Sequence, residues 1–331
     1  MKTVGLDLGY SAVKAVSGKQ RATFPSVVGP FERAGFSLGE ADNSIVLTID
    51  GTQVLVGQGA IEQSRFASRR EDRDWIKGSE YKALMLAAFS ELVKGSVEMA
   101  VVTGLPLAFY QDADKTALED ALMGEHRIER QGRRFQTITV ETVRVIPQPF
   151  GSLLCEALDN RGDATDKALV NGNTGIVDVG GKTTNLLSAN GLREIVKETA
   201  SVDLGAWDIV RGVRALLSGQ YPELADLDGH RIQQAIRERS VKSFGEAHDL
   251  TELVDSVLDP MAGRVLSEAT QLWNGAATLD TILITGGGAH LLGPHIKQHF
   301  AKHGERARIV ADPAFANAVG YWKLGQRMVG K

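Results

Sequence analysis

The chain has 331 residues, of which 43% are hydrophobic and 24% charged, and a net charge of −4. That length supports two domains with cores of their own, and that balance excludes a disordered chain. The acidic excess argues against direct nucleic-acid binding, so any link to DNA is expected to run through an adaptor.

Val4 to Leu8 reads as a buried strand, returning through Val13 to Val16 across a turn of Gly9, Tyr10 and Ser11. Ile45 to Ile49 and Val54 to Val56 flank Asp50-Gly51, and Arg127 to Arg130 and Phe135 to Val140 flank Gln131-Gly132; both read as hairpins. Segment Arg65 to Lys77, dense in both charge signs, reads as a solvated loop, with Trp75 as a candidate assembly contact. Tyr81 to Val93 has helical spacing, and Val97 to Thr103 is a strand. Cys155, the only cysteine, lies in an apolar run and reads as core; alone it allows no internal disulfide and no cysteine cluster for metal. The polar stretch Leu158 to Lys167 looks like a connection, with a domain boundary near Pro149 to Asp166.

The second half repeats this grammar. Gly175 to Val179 is a strand, then a turn, then a returning strand from Asn185 to Ser188. Val202 to Leu217, Arg231 to Arg239 and Leu250 to Trp273 read as helices, Thr281 to Thr285 as a buried strand, and Phe315 to Val329 as a closing helix. Alternating strands and helices give an α/β fold of two related halves. His290 and His295 have no partners in sequence that complete a ligand set and read as surface or cap residues. No run of about 18 uninterrupted apolar residues exists. Met1 leads directly into a strand, and the C-terminal residues do not resemble an amphipathic anchor. The expectation is a cytoplasmic protein without membrane contact.

Four elements carry chemistry. The first is Asp7 at a strand end, followed by Gly9, Tyr10, Ser11 and Lys14. Successive N–H groups in such a turn make a nest for anionic oxygens, and an aspartate there can hold Mg²⁺ through water. By itself the pattern is more often a plain hairpin turn. The second repeats it: Asp178, then Gly180, Gly181, Lys182, Thr183 and Thr184. Two such turns can face each other across a cleft and cradle phosphates with Mg²⁺. The third is a buried strand opening into Gly286, Gly287, Gly288 and Ala289, a surface on which an adenosine could lie. Neither the dinucleotide fingerprint nor the P-loop spacing is present. The fourth is Gln148, held between Pro147 and Pro149. An amide is no strong base, but glutamine can orient a water for attack on a γ-phosphate.

Together these elements resemble the actin-like ATPases. Asp7 to Lys14 is similar to the phosphate-1 motif and Ile176 to Thr184 to phosphate-2. Ile282 to His290 is similar to the adenosine motif, Pro147 to Ser152 to connect-1, and Ala316 to Gly320 to connect-2. Phe24 to Val28, the Asp50-Gly51 hairpin, Thr103 to Pro106 and Val202 to Gly205 resemble the bacterial and archaeal plasmid-segregation branch, the ParM/StbA type.

The resemblance implies an actin/Hsp70/hexokinase-like (ribonuclease H-like) fold with two related domains around a nucleotide cleft. Domain I would span residues 1–150, with a small inserted subdomain around 26–85. Domain II would span 151–314, and helix 315–331 would return to domain I. It further implies an ATPase that polymerises with ATP, or with GTP, and hydrolyses it in plasmid or DNA segregation. Asp7 and Asp178 would bind Mg²⁺, Gln148 would position the water, and Lys14 would contact phosphates. Gly9 to Ser11, Gly180 to Thr184 and Gly286 to Ala289 would hold the nucleotide. Arg237 and Lys242 sit where the family borrows side chains for the adenosine, though a solvated face is the plainer reading. The partners implied are a second copy of the chain and a DNA-binding adaptor. The competing reading is a non-polymerising ATPase or small-molecule kinase of the same fold, for which Asp203 is the nearest candidate base.

Overall fold

The computed structural model describes residues 1–32, 44–68, 73–227, 229–301 and 304–330. The expected inserted subdomain (26–85) and charged loop (65–77) therefore fall partly outside the described residues, at 33–43 and 69–72. The chain forms two compact units, Met1–Lys167 with Phe315–Lys331, and Ala168–Ala314.

The first unit opens with β1 (Lys2–Leu8), β2 (Ala12–Ser17), β3 (Gln20–Pro25) and β4 (Val28–Pro30). The hairpin β5 (Ile45–Ile49) and β6 (Thr52–Val56) turns on Asp50 and Gly51, both at positive φ. Helices α1 (Gln58–Gln63) and α2 (Ser79–Leu92) follow, then β7 (Val97–Leu105), α3 (Asp112–Leu122), β8 (Gly124–Arg130), β9 (Gln136–Pro147) and α4 (Phe150–Ala157). The nine strands form one sheet in the order β3-β2-β1-β7-β9-β8-β5-β6-β4. Strand β1 runs parallel to β7, and β7 parallel to β9; the other neighbours are antiparallel.

Helix α2 explains the shape of that sheet. Ten of its fourteen residues are buried, so it is enclosed rather than amphipathic. It packs against β3 at one end of the strand order and β4 at the other, which requires the sheet to curl round it.

The second unit contains α5 (Lys167–Asn171), β10 (Asn173–Val179), β11 (Thr184–Asn190), β12 (Arg193–Glu194) and β13 (Ala200–Val202). Helices α6 (Ala206–Gln220) and α7 (Gly229–Glu238) lead to the hairpin β14 (Ser240–Ser243) and β15 (Glu246–Asp249). Helix α8 (Thr251–Leu272), β16 (Thr281–Thr285), α9 (Ala289–Ala301) and β17 (Ala307–Ile309) complete it. Its sheet order is β12-β11-β10-β16-β17, with β13 added on β11. An antiparallel return on β10 and two parallel strands beyond it repeat the β2-β1-β7-β9 arrangement of the first unit. The internal repeat of the sequence is therefore a repeat of sheet topology.

The last helix, α10 (Ala316–Val329), belongs to the first unit. It lies so close to β1 that a Cβ on Gly5 would stand 2.0 Å from the Ala318 carbonyl oxygen. It crosses α4 where a Cβ on Gly320 would stand 1.7 Å from the carbonyl oxygen of Gly151. Glycines at these crossings let backbone meet backbone. The Lys323 ammonium donates at 2.5 Å to each of the Cys155 and Leu158 carbonyls at the end of α4. This packing keeps residues 151–167 with the first unit, whereas the sequence reading placed them in domain II.

Two further differences have physical causes. The helix expected from Val202 starts after Gly205, because Val202 pairs with Thr184 as a strand. Trp75 is not an assembly surface: it is 6% exposed, stacked on Tyr10 at 5.3 Å and edge-on to Tyr81 at 5.0 Å.

Candidate functional site

In the first unit the β1–β2 turn is built around one buried carboxylate. Asp7 is 4% exposed at the end of β1. Its Oδ1 accepts from Gln148 Nε2 at 2.9 Å, and Lys14 Nζ lies 3.8 Å from Oδ2. Burial pushes the Asp7 carboxyl up, against the opposing pull of Lys14 and the Gln148 hydrogen bond. Residues 141 positions apart in sequence thus meet at one carboxylate, because β1, β7 and β9 are successive parallel neighbours.

The turn itself is pinned. Ser26 Oγ donates to the Gly9 carbonyl at 2.5 Å, and Ser26 N donates to the Ser11 carbonyl at 3.1 Å. A Cβ on Gly9 would meet the Ala12 carbonyl oxygen at 3.2 Å and the Lys14 ammonium at 3.6 Å. Tyr10 turns its ring away to stack on Trp75. Burial, and then the Asp7 charge, push the Tyr81 phenol up, so Tyr81 lies near the same carboxylate.

Gln148 is fixed from three sides. Its N–H donates to the Leu105 carbonyl at 2.8 Å, and its own carbonyl accepts from Gly151 N at 3.1 Å and Tyr321 Oη at 3.0 Å. With its NH₂ given to Asp7, the side-chain carbonyl oxygen is the atom left to accept from a water. Beside it, Asn317 Oδ1 accepts from both Ser152 N, at 3.0 Å, and Ser152 Oγ, at 2.7 Å, tying α4 to α10. Tyr321 and Tyr81 were not singled out in the sequence, and Asn317 only as part of the Ala316 to Gly320 segment; their role depends on contacts across 74 to 173 positions, which no local pattern signals.

In the second unit Asp178 is 3% exposed at the end of β10. It pairs with Asn185 on β11 and Thr285 on β16, so the second turn and the glycine run adjoin. A Cβ on Gly286, which has φ +89°, would stand 2.3 Å from Asp178 Oδ1, and one on Gly288 would stand 2.6 Å from Val179. These two glycines are close-packing residues. Only Gly287 of the three faces open space. The flat surface expected from three glycines is therefore one residue wide, bordered by Ala289, which is buried at the start of α9.

The turn between β10 and β11 is likewise held from behind. Gly180 N donates to the Thr183 carbonyl at 2.9 Å. The carbonyls of Gly180 and Gly181 accept from Ala206 N and Trp207 N at the start of α6. Thr184 is buried, and its hydroxyl donates to the Leu204 carbonyl at 2.7 Å, so it secures the turn instead of facing a ligand. Gly181, Lys182 and Thr183 are half-buried at the tip. Burial, and then the Arg237 guanidinium, hold His290 below the usual imidazole range. The Arg237 side chain itself is exposed near the end of α7, as on the solvated face that is the plainer sequence reading. Asp203, the candidate base of the kinase reading, is exposed.

Residues 5–151 match the family model of the actin like proteins N terminal domain, and residues 176–298 that of the archaeal actin homologue, MreB-like, C-terminal domain. No curated protein matches the chain in sequence. Solved structures match it from end to end. An archaeal actin homologue in complex with ADP is 20% identical, with a TM-score of 0.81 over 99% of this chain and 100% of that one. ParM from a 15-stranded filament of Clostridium botulinum is 23% identical, with a TM-score of 0.80 over 98% and 99% of the two chains. The apo ParM protein of psk41 is 20% identical, with a TM-score of 0.76 over 99% and 98%. With an actin-like N-terminal domain in the first unit and an archaeal MreB-like C-terminal domain in the second, the chain belongs to the actin-like proteins.

Proposed function

We propose that this chain is a Mg²⁺-dependent ATPase that assembles into filaments with ATP and loses them on hydrolysis, moving DNA through a DNA-binding adaptor. The observation that carries the reading is the Asp7–Gln148 hydrogen bond at 2.9 Å with Lys14 alongside. A buried carboxylate, an ammonium and an amide converge on one glycine turn, the set a hydrolysed phosphate requires. Relatives of the same fold support it: one was solved with ADP, and others as ParM and Alp12 filaments.

The residues fit the groups proposed. Asp7 is buried deeply enough that desolvation outweighs the pull of Lys14 and Gln148 on its carboxyl, which suits a further cation nearby. Among the described residues no group of three or more His, Cys, Asp or Glu could hold a metal. Each unit offers a single buried carboxylate, Asp7 or Asp178, on which Mg²⁺ would depend with water and phosphate oxygens completing its shell. When bound, it neutralises charge developing on the phosphates. Lys14 takes phosphate oxygens as a point charge, and the N–H groups of its own turn donate to them. Gln148 accepts from the attacking water through its side-chain carbonyl, and its own N–H and carbonyl bonds hold that atom in place. A neutral amide that orients water favours hydrolysis over transfer to a second substrate. No helix among the described residues is long and apolar enough to cross a membrane.

The test is pelleting or light scattering of purified protein with ATP, GTP, ADP and no nucleotide, alongside phosphate release. Assembly with ATP and disassembly as phosphate appears is expected. Absence of nucleotide-dependent assembly, with phosphate transferred to a small molecule, would establish the kinase alternative instead.

A further inference from the structure

The hairpin β14–β15 ends in a feature that its own fold does not explain. Its two-residue turn is Phe244-Gly245, at φ +47° and +88°. Turns of that kind ordinarily take Asn, Asp or Gly at the first position, because a bulky side chain is strained there. Phe244 is nevertheless 92% exposed, the most exposed large hydrophobic residue among those described. The hairpin is anchored through both strands: His248 of β15 stacks on Tyr221 at 4.9 Å, and Ser243 of β14 donates to Glu223. The ring is thus held out on a firm support and satisfies nothing in its own chain.

A second oddity lies on α8. Gly263 stands in the interior of that 22-residue helix, where glycine is costly. A Cβ there would meet nothing within 4 Å, so no packing inside the chain requires it. It lines a groove of about 520 Å³ with Leu266, Ser267, Thr270, Gln271 and His299. The groove is open, ample for a phenyl ring, and not filled by the chain's own Phe244.

We propose that Phe244 of one copy docks in the Gly263 groove of the next, a head-to-tail contact between copies of this chain. This rests on the self-association reading above and names the surfaces that carry it. Both surfaces lie on every copy but are different patches, so each docking leaves one free of each kind and the contact propagates. Charges are available on both sides: exposed Lys242 and Glu246 flank the ring, and exposed Arg264 and Glu268 lie beside the groove on α8. The filaments among the relatives are consistent with a second copy as the occupant.

Two substitutions test it without endangering the fold. Phe244→Asn suits the turn better than the native residue, and Gly263→Gln adds a helix-favouring side chain into open space. Neither touches the phosphate turns, so nucleotide binding by the dilute protein should be unchanged. Each should raise the concentration needed for ATP-dependent assembly by about tenfold or more, from losing one buried aromatic ring. Mixed in equal amounts, the two variants retain one good ring and one good groove. Sedimentation should then show dimers of twice the 35.6 kDa chain mass that neither variant forms alone. If wild type assembles and both variants match it, or if the mixture gives no more dimer than its components, this contact is wrong. If wild type stays monomeric in every nucleotide state, the self-association reading falls and takes the contact with it.

Discussion

Tyr321 tests how Gln148 is held. Its hydroxyl donates to the Gln148 carbonyl at 3.0 Å from a fully buried ring. Tyr321→Phe removes one oxygen and leaves the ring packed. Gly104 gives no room for a replacement water, since a Cβ there would already lie 2.0 Å from Tyr321 Oη. The Gln148 carbonyl keeps its bond from Gly151 N, so it is weakened but not orphaned. The expected stability loss is about 1 kcal/mol, a fall of roughly 2 °C in Tm for a chain of this size. The larger effect is expected on turnover. Loosening the backbone of Gln148, the residue proposed to orient the water, should lower kcat about tenfold, or about 1.4 kcal/mol. KM for ATP should barely change, because the phosphate-binding turns are untouched. Phosphate release across an ATP titration, with a thermal melt, separates the two effects. In a Gln148→Ala background the same substitution should cost stability but no further kcat. An equal kcat loss in both backgrounds would refute the claim that Tyr321 acts through Gln148.

Other outcomes follow from the same geometry. Gln148→Ala should slow phosphate release about a hundredfold while leaving nucleotide bound, and so give longer-lived assemblies by light scattering. Asp178→Ala should abolish hydrolysis and remove the dependence of nucleotide affinity on Mg²⁺, measured by a Mg²⁺ titration. Gly286→Ala, forced to φ +89° with a methyl against Asp178, should behave like the loss of Asp178. Gly287→Ala should stay within about 0.5 kcal/mol of wild-type stability, because its Cβ meets nothing, yet weaken ATP binding if purine lies there. Gly320→Ala should cost about 3 kcal/mol by driving α10 off α4, visible as a large fall in Tm.

Much of this protein is written locally. The strand ends at Asp7 and Asp178, the hairpin at Asp50-Gly51 and the glycine run at Gly286 are patterns of backbone conformation and burial within a few residues. Periodicity and turn chemistry report those directly, and their order along the chain carries the family resemblance. What the sequence left open depends on distance. That α2 is enclosed by a curled sheet, that Trp75 is sealed against Tyr10, and that Gly288 packs on Val179 all require knowing which strands are neighbours. Thr184 reads as part of a phosphate loop but spends its hydroxyl on Leu204, twenty residues away. The meeting of Gln148 with Asp7 is the clearest case. Each residue is legible alone as an amide between prolines and a carboxylate at a strand end. Only the parallel pairing of β1, β7 and β9 brings them within 2.9 Å, because a sheet sets distance by strand order and register, not by position in the chain.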